Sequence, residues 1–265
     1  MSTGIHNYSL TDGDPTHPVE RGSDGLFGKF SLNFTAASKT QRLRAGRSSV
    51  PALTTAIGGP DARVSVVGWV KRPAGNSRNN SFGFLAGVWG DRDGGKPDHQ
   101  GTRQYAIYFD LGACNSEAGK GKPPGPVYHH GLAAHISSRG GPTPGHEFCF
   151  AAACDPQPLP SEDWHCVSNV YDGTHINAYV NGSLAKNGRL NPFPCTAGSG
   201  CEHGIYSPEA ANRTAEGAEF GVGVAMSFGY NQYTGLLGGL AVFSQALTQA
   251  QVAQVCAWPA EVRDP

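Results

Sequence analysis

WHCVSNVYDGTHINAYVNGSLA, residues 164–185, is the stretch whose reading decides the fold. Trp164 to Tyr171 mixes aromatic and β-branched residues and reads as a strand. Asp172-Gly173-Thr174 has the composition of a tight turn, and His175 to Asn181 reads as the returning strand. Strand, two-way turn and strand make a β-hairpin by turn chemistry.

The same reading extends outward in both directions. Leu26-Phe27 and Phe30-Ser31-Leu32-Asn33-Phe34 alternate as a half-buried strand does. Arg63 to Lys71 (RVSVVGWVK) is a β-branched run, and Ser81 to Trp89 (SFGFLAGVW) is another apolar one. Tyr105 to Leu111, Gly131 to Arg139, Phe220 to Ala225 and Leu236 to Phe243 complete the set, with glycine-rich loops at 90–101 and 112–127. Only TQAQVAQVCAW, from Thr248 as N-cap to Trp258, reads as helix. Strands without helical periods between them predict an all-β antiparallel sandwich rather than a βαβ fold. No fixed-period repeat is visible, which disfavours a propeller. Residues 1–24 are polar and turn-rich and read as an N-terminal extension, 25–258 as one domain, and 259–265 as a tail.

The hairpin resembles that of laminin-G-like domains, with Trp164 directed to the core and turns at Asp172-Gly173 and Asn181-Gly182. KFSLNF, VSVVGWVKR and GLLGGLAVFSQALTQAQV are similar, in order, to the opening strand, a central strand, and the closing strand and helix of the same family. The resemblance implies a jelly-roll sandwich of the concanavalin A-like lectin/glucanase superfamily. Relatives often carry an acid in the closing strand that supports a structural calcium. Here that strand reads Gly238-Gly239-Leu240-Ala241-Val242, and the missing acid argues against such an ion.

Composition agrees with the strand pattern. Glycine contributes 37 of 265 residues, about twice the usual share of ~7%, and punctuates short apolar runs. With 20 Lys+Arg against 21 Asp+Glu and no basic stripe, nucleic acid is not an expected partner. No apolar stretch reaches the ~20 residues of a membrane span. MSTGIHNYSL lacks the charged and apolar regions of a signal peptide, so the expectation is either another route or a mature fragment. Sequons stand at Asn7, Asn33, Asn79, Asn181 and Asn212.

Seven cysteines occur, with local spacings at Cys149/Cys154 and Cys195/Cys201. The second pair brackets TAGSG, a loop soft enough to close on itself, and a disulfide is expected there. Zinc would need ligand spacings that are absent. Cys166 is expected to be buried as a thiol. A disulfide implies an oxidising compartment, hence a secreted or extracellular protein.

Candidate chemistry centres on two strands. On 132–139, Leu132, Ala134, Ile136 and Ser138 should face the core, and His135, Ser137 and Arg139 the other side. On the strand 105–111, Tyr105, Ile107 and Phe109 should be buried, with Tyr108 and Asp110 outward; if the two strands neighbour each other, these outward residues share one face. An open face bearing Tyr108, Asp110, His135, Ser137 and Arg139 suits sugar binding through stacking and bidentate polar contacts. A solvated sheet face is the plain alternative. Tyr233, in a run of aromatics and amides, and Trp89 sit at loop edges, where they would either add a sugar platform or cap the sandwich core. Asp91 and Asp93 lie in a glycine-rich loop. They read as turn residues or as oxygen ligands for calcium, the one cofactor the sequence suggests. His129, His130, His135, His146 and His165 cluster within 37 residues of sequence, but contiguous histidines on a strand point to opposite sides.

The first expectation is therefore a carbohydrate-binding, lectin-like domain whose partner is a glycan or polysaccharide. The second is a polysaccharide lyase with His135 or Tyr108 as base and Arg139 as carboxylate partner. A glycoside hydrolase is weaker, since no convincing acid pair is present: Asp91 and Asp93 have the i, i+2 spacing but lie in a glycine-rich loop, where strand alternation does not apply. A protein-interaction module is the third class.

Overall fold

The structure is a computed structural model. It describes residues 11–12, 18–34, 41–45, 53, 57–72, 83–90, 101–109, 131–145, 149, 151–155, 157, 159–160, 162–185, 190–207, 219–225 and 231–263. The central strand, β5 (Val64–Lys71), explains why its sequence runs apolar without a break, because both of its faces are covered. Val64, Val66 and Val70 join Val167 and Tyr171 in the core between two sheets. Val67 and Trp69 face the other way, into a second cluster with Cys166, Val170, Val252 and Val255.

In chain order the remaining strands are β1 (Thr11–Asp12), β2 (Glu20–Gly22), β3 (Ser31–Phe34), β4 (Leu43–Ala45), β6 (Gly83–Val88) and β7 (Arg103–Phe109). They continue with β8 (Leu132–Gly140), β9 (Ala152–Asp155), β10 (Trp164–Tyr171), β11 (His175–Val180) and β12 (Ser183–Leu184). The last are β13 (Phe193–Pro194), β14 (Phe220–Val222) and β15 (Gly235–Phe243), followed by the helix α1 (Gln249–Arg263). One sheet runs β1-β4-β14-β6-β7-β8-β9. The other runs β12-β11-β10-β5-β15-β3-β2, with β13 added to β11. All the ladders between named strands are antiparallel. The chain is an all-β antiparallel sandwich.

The deciding hairpin forms as its turn chemistry requires. Asp172 Oδ1 accepts the Thr174 and His175 amides at 2.7 Å each, an Asx turn. Asn181 (φ 50°) and Gly182 (φ 77°) both lie in the left-handed region, the requirement of a two-residue hairpin turn. The sheets approach closely at Gly68, where a Cβ would stand 2.9 Å from Leu85 Cδ2.

Helix α1 begins at the expected cap. Thr248 Oγ1 accepts the Gln251 amide at 3.3 Å, and Gln251 Oε1 accepts the Thr248 amide at 2.8 Å, a reciprocal capping box. The helix continues through Pro259 to Arg263, into residues read from sequence as a tail. At the other end, Glu20–Gly22 pairs with β3 and extends the sheet before residue 25.

Cys195 and Cys201 form the expected disulfide. Cys166 is buried but is not a thiol, since it is bonded to Cys256. Its side chain leaves the outer face of β10 directly beneath α1, a proximity that 90 residues of separation conceal. Cys154 is also disulfide-bonded, whereas Cys149 keeps its thiol 3.5 Å from the Ile136 carbonyl.

Candidate binding cluster on the seven-stranded sheet

Strands β7 and β8 pair Phe109 with Leu132, Ile107 with Ala134 and Tyr105 with Ile136. Phe109 lies 5.7 Å from Tyr233, which lies 5.8 Å from Phe34 of the opposite sheet. This row therefore faces the inter-sheet core. Tyr108 and His135 project from the other face, as the alternation predicts.

The two rings meet edge to face with centroids 5.5 Å apart. Trp89, just beyond β6, closes the group at 5.9 Å from Tyr108 and 5.4 Å from His135. Phe84 packs against Tyr108 at 5.1 Å. The Arg103 guanidinium lies 5.4 Å over the Trp89 ring, a cation–π contact. Around His135 the ladder neighbours are small: Ala106 opposite on β7 and Ala152 opposite on β9.

The face is not open. His135 is 1% exposed, Tyr108 2%, Arg103 4% and Trp89 5%. Alternation reports which face a residue occupies but not whether other parts of the chain cover that face, and the expectation of an open face at Tyr108 and His135 is corrected accordingly.

Burial leaves His135 in an unusual state. Among the described residues neither ring nitrogen has a hydrogen-bond partner. Burial first, and the nearby Arg103 charge second, push its pKa down to about 3. The ring is thus neutral near pH 7, with one donor and one acceptor unused. Its backbone is held from behind. Asn169 of β10 reaches across the sandwich and donates to the carbonyls of Ala106 at 3.1 Å and His135 at 3.0 Å.

The other expected site residues separate. The Ser137 hydroxyl is occupied in shaping the end of β8. It donates to the Gly141 carbonyl at 3.2 Å and accepts the Gly140 amide at 3.1 Å. Arg139 is exposed at the strand end, and no contact of its side chain with the aromatic cluster is found among the described residues. Tyr233 is 1% exposed and belongs to the inter-sheet core, with its hydroxyl donating to the Leu236 carbonyl at 3.0 Å. It stands on the opposite face from His135 and is no loop-edge platform. Asp110, Asp91 and Asp93 lie outside the described residues. Among the described residues no group of three or more His, Cys, Asp or Glu side chains is placed to hold a metal ion.

Arg103 escaped the sequence reading for a definable reason. Strict alternation from Tyr105 would turn it inward, but the register shifts between Arg103 and Tyr105. Such irregularities re-aim side chains, and Arg103 lies instead over Trp89.

The end of β8 is also braced. Gly200, inside the disulfide-closed loop, accepts both the amide and the hydroxyl of Ser138 at 2.8 and 2.9 Å. Tyr171 donates to the Cys201 carbonyl at 2.8 Å. The Cys195–Cys201 loop thus buttresses the strand that carries His135.

No protein-family model and no curated sequence matches the chain. Among solved structures it is similar to the receptor binding domain of botulinum neurotoxin D, at 10% identity and a TM-score of 0.53, over 97% of this chain and 49% of that one. A second similar structure is the HCR/D W1238A mutant, at 9% identity and 0.54, covering 97% and 47%. Domain 4 of AbnA, an extracellular GH43 arabinanase from Geobacillus stearothermophilus solved with arabinotriose, has 13% identity and 0.48, covering 94% and 87%. The chain spans about half the length of the two former structures. At these identities the likeness to the two former structures shows the β-sandwich fold alone.

Proposed function

We propose that the chain is a carbohydrate-binding, lectin-like domain of the laminin-G-like kind, which takes a glycan at the Trp89, Tyr108 and His135 cluster. The observation that carries this reading is the His135 imidazole, buried between two aromatic rings with both nitrogens unpartnered. An unmade hydrogen bond on a buried polar atom costs about 1–3 kcal/mol. A sugar hydroxyl, donor and acceptor at once, removes that cost, while Trp89 and Tyr108 supply apolar faces for the ring carbons. Because the cluster is closed, binding requires a local opening, and association should fall below the usual range for a preformed site.

The lyase reading is less well supported. A base with its pKa near 3 is weak at neutral pH, and Arg139 stands at the strand end. The disulfides Cys166–Cys256 and Cys195–Cys201 favour an oxidising, extracellular location.

A glycan array followed by titration calorimetry tests the proposal. Wild type should bind at least one class of oligosaccharide, and His135→Gln should weaken it by about tenfold or more. No hit across neutral and acidic glycans would sink the reading. Release of unsaturated uronate, seen by ultraviolet absorbance, would replace it with the lyase.

A further inference from the structure

We infer that the loop between β2 and β3 carries a second, open glycan subsite, where an anionic sugar lies on the Phe30 ring with its acidic group on the Arg21 guanidinium. The inference rests on the carbohydrate-binding reading and adds to the enclosed cluster a place that solvent already reaches.

Phe30 is 59% exposed, and among the described residues it is the one large apolar side chain left so open to water. An isolated exposed apolar residue is ordinary, but two further features set this one apart. The first is the rigidity of the loop that presents it. Strands β2 and β3 pair Gly22 with Ser31, so residues 23–30 form the connection between them. Asp24 is bonded to Lys71 at 2.8 Å, Leu26 is buried, and Phe27 meets Trp69 edge to face at 4.9 Å. A Cβ at Gly25 would run into the Gly28 carbonyl and the Phe30 amide, so the turn closes tightly on itself. The loop is pinned through 24–27, and only its tip, Gly28-Lys29-Phe30, is exposed. A ring displayed from a fixed backbone loses little freedom when a ligand stacks on it.

The second feature is charge. The Arg21 guanidinium lies over the Phe30 ring, 5.7 Å from its centroid, a cation–π contact. Arg21 is exposed, and so is Lys29, the neighbour of Phe30 in the chain. The acids close by in sequence do not answer these cations. Asp24 holds Lys71, and Glu20 precedes Arg21 on β2 and therefore faces the other side of the strand. Among the described residues no ion pair of Arg21 or Lys29 is found.

A ligand that matches this tip has an apolar face about the size of one aromatic ring and a negative group beside it. A sugar ring bearing a carboxylate or a sulfate has both. Its ring carbons stack on the face of Phe30 that Arg21 leaves free. Its acidic group meets a planar guanidinium that bonds such oxygens in pairs. A neutral sugar leaves the two cations unused, and a membrane surface calls for more apolar area than a single ring supplies. Because the charges are exposed, affinity should fall as salt rises.

The test uses the full chain and four probes: hexuronate oligomers, sulfated galactose oligomers, neutral galactose oligomers, and phosphatidylcholine vesicles containing phosphatidylserine. Calorimetry at about 20 and about 300 mM salt reads affinity and its screening. The expected result is binding of at least one anionic oligomer, weaker at the higher salt. Phe30→Ala and Arg21→Gln should each weaken it by about fivefold or more, with circular dichroism unchanged, since both side chains are exposed. Phe30→Tyr should retain it, because the stacking face is kept. Anionic oligomers that bind both the Ala and the Gln variant as they bind wild type would overturn this inference and leave the carbohydrate-binding reading intact. Neutral oligomers that bind as tightly as anionic ones would do the same. Vesicle binding lost in Phe30→Ala, without binding of any oligomer, would replace the subsite by a membrane contact. No binding of any probe would remove both this inference and the reading beneath it.

Discussion

Asn169 Nδ2 donates to the His135 carbonyl at 3.0 Å, so the side chain of one sheet holds the backbone of the other at the centre of the candidate site. The same nitrogen bonds the Ala106 carbonyl at 3.1 Å, while Oδ1 has no partner among the described residues. Replacing Asn169 by Leu removes two buried hydrogen bonds and one unsatisfied acceptor together. The expected loss is about 1–3 kcal/mol. Asn169→Asp should cost more, because a buried carboxylate would face two carbonyl oxygens. Urea unfolding of the two variants checks the order, and an Asp variant as stable as the Leu variant would contradict this account.

The protonation of His135 sets a second expectation. Its folded pKa is about 3, against about 6.5 in an unfolded chain. Between those values the unfolded state binds a proton that the folded state refuses. Stability therefore falls as pH drops from about 6.5 towards 3, at up to about 1.4 kcal/mol per pH unit, and this group contributes no slope above that window. His135→Phe removes the contribution. Midpoints of urea unfolding at pH 7.5, 5.5 and 4.5 should show a flatter profile for the variant than for wild type.

Cys166–Cys256 and Cys195–Cys201 should differ in worth. Cys166–Cys256 closes 90 residues, and Cys195–Cys201 closes 6. The chain-entropy model assigns about 4–5 kcal/mol to the first and about 2 to the second. Loss of the first also releases α1 from Val67 and Trp69. The Cys166→Ala/Cys256→Ala pair should accordingly lower the thermal midpoint well below that of Cys195→Ala/Cys201→Ala. The reverse order, measured by calorimetry, would show that strain or local loop structure dominates over chain entropy.

Gly238 and Gly239 meet packed side chains rather than free space. A Cβ at Gly238 would lie 2.8 Å from Leu26 Cβ and 2.9 Å from Trp164 Cζ3. At Gly239 it would lie 2.7 Å from Phe27 Cε2 and 3.2 Å from Trp69 Cε3. The segment around Leu26 and Phe27 is laid over this face, fastened by Asp24 to Lys71 at 2.8 Å. Overpacking of this kind costs about 1–3 kcal/mol. Gly238→Val and Gly239→Val should each destabilise by that order and red-shift tryptophan emission as Trp69 and Trp164 gain water. An unshifted spectrum in both variants would argue against the covering segment.

What could be read from the chain was local. The hairpin at 164–181, the alternation of Tyr105–Phe109 and the Thr248 cap depend on residues a few positions apart, where turn chemistry and a period of two act directly. That Tyr108 and His135 share a face followed from the same period. Whether that face meets water did not, since exposure depends on chain from elsewhere lying over it. Arg103 joined the cluster through a register shift that no local pattern announces. Tyr233 went to the inter-sheet core because Phe34 and Phe109 converge there from two different sheets. Cys166 met Cys256 only once α1 had docked on β5 and β10. Each of these depends on contacts between residues far apart in sequence, which form when two sheets and a helix pack together.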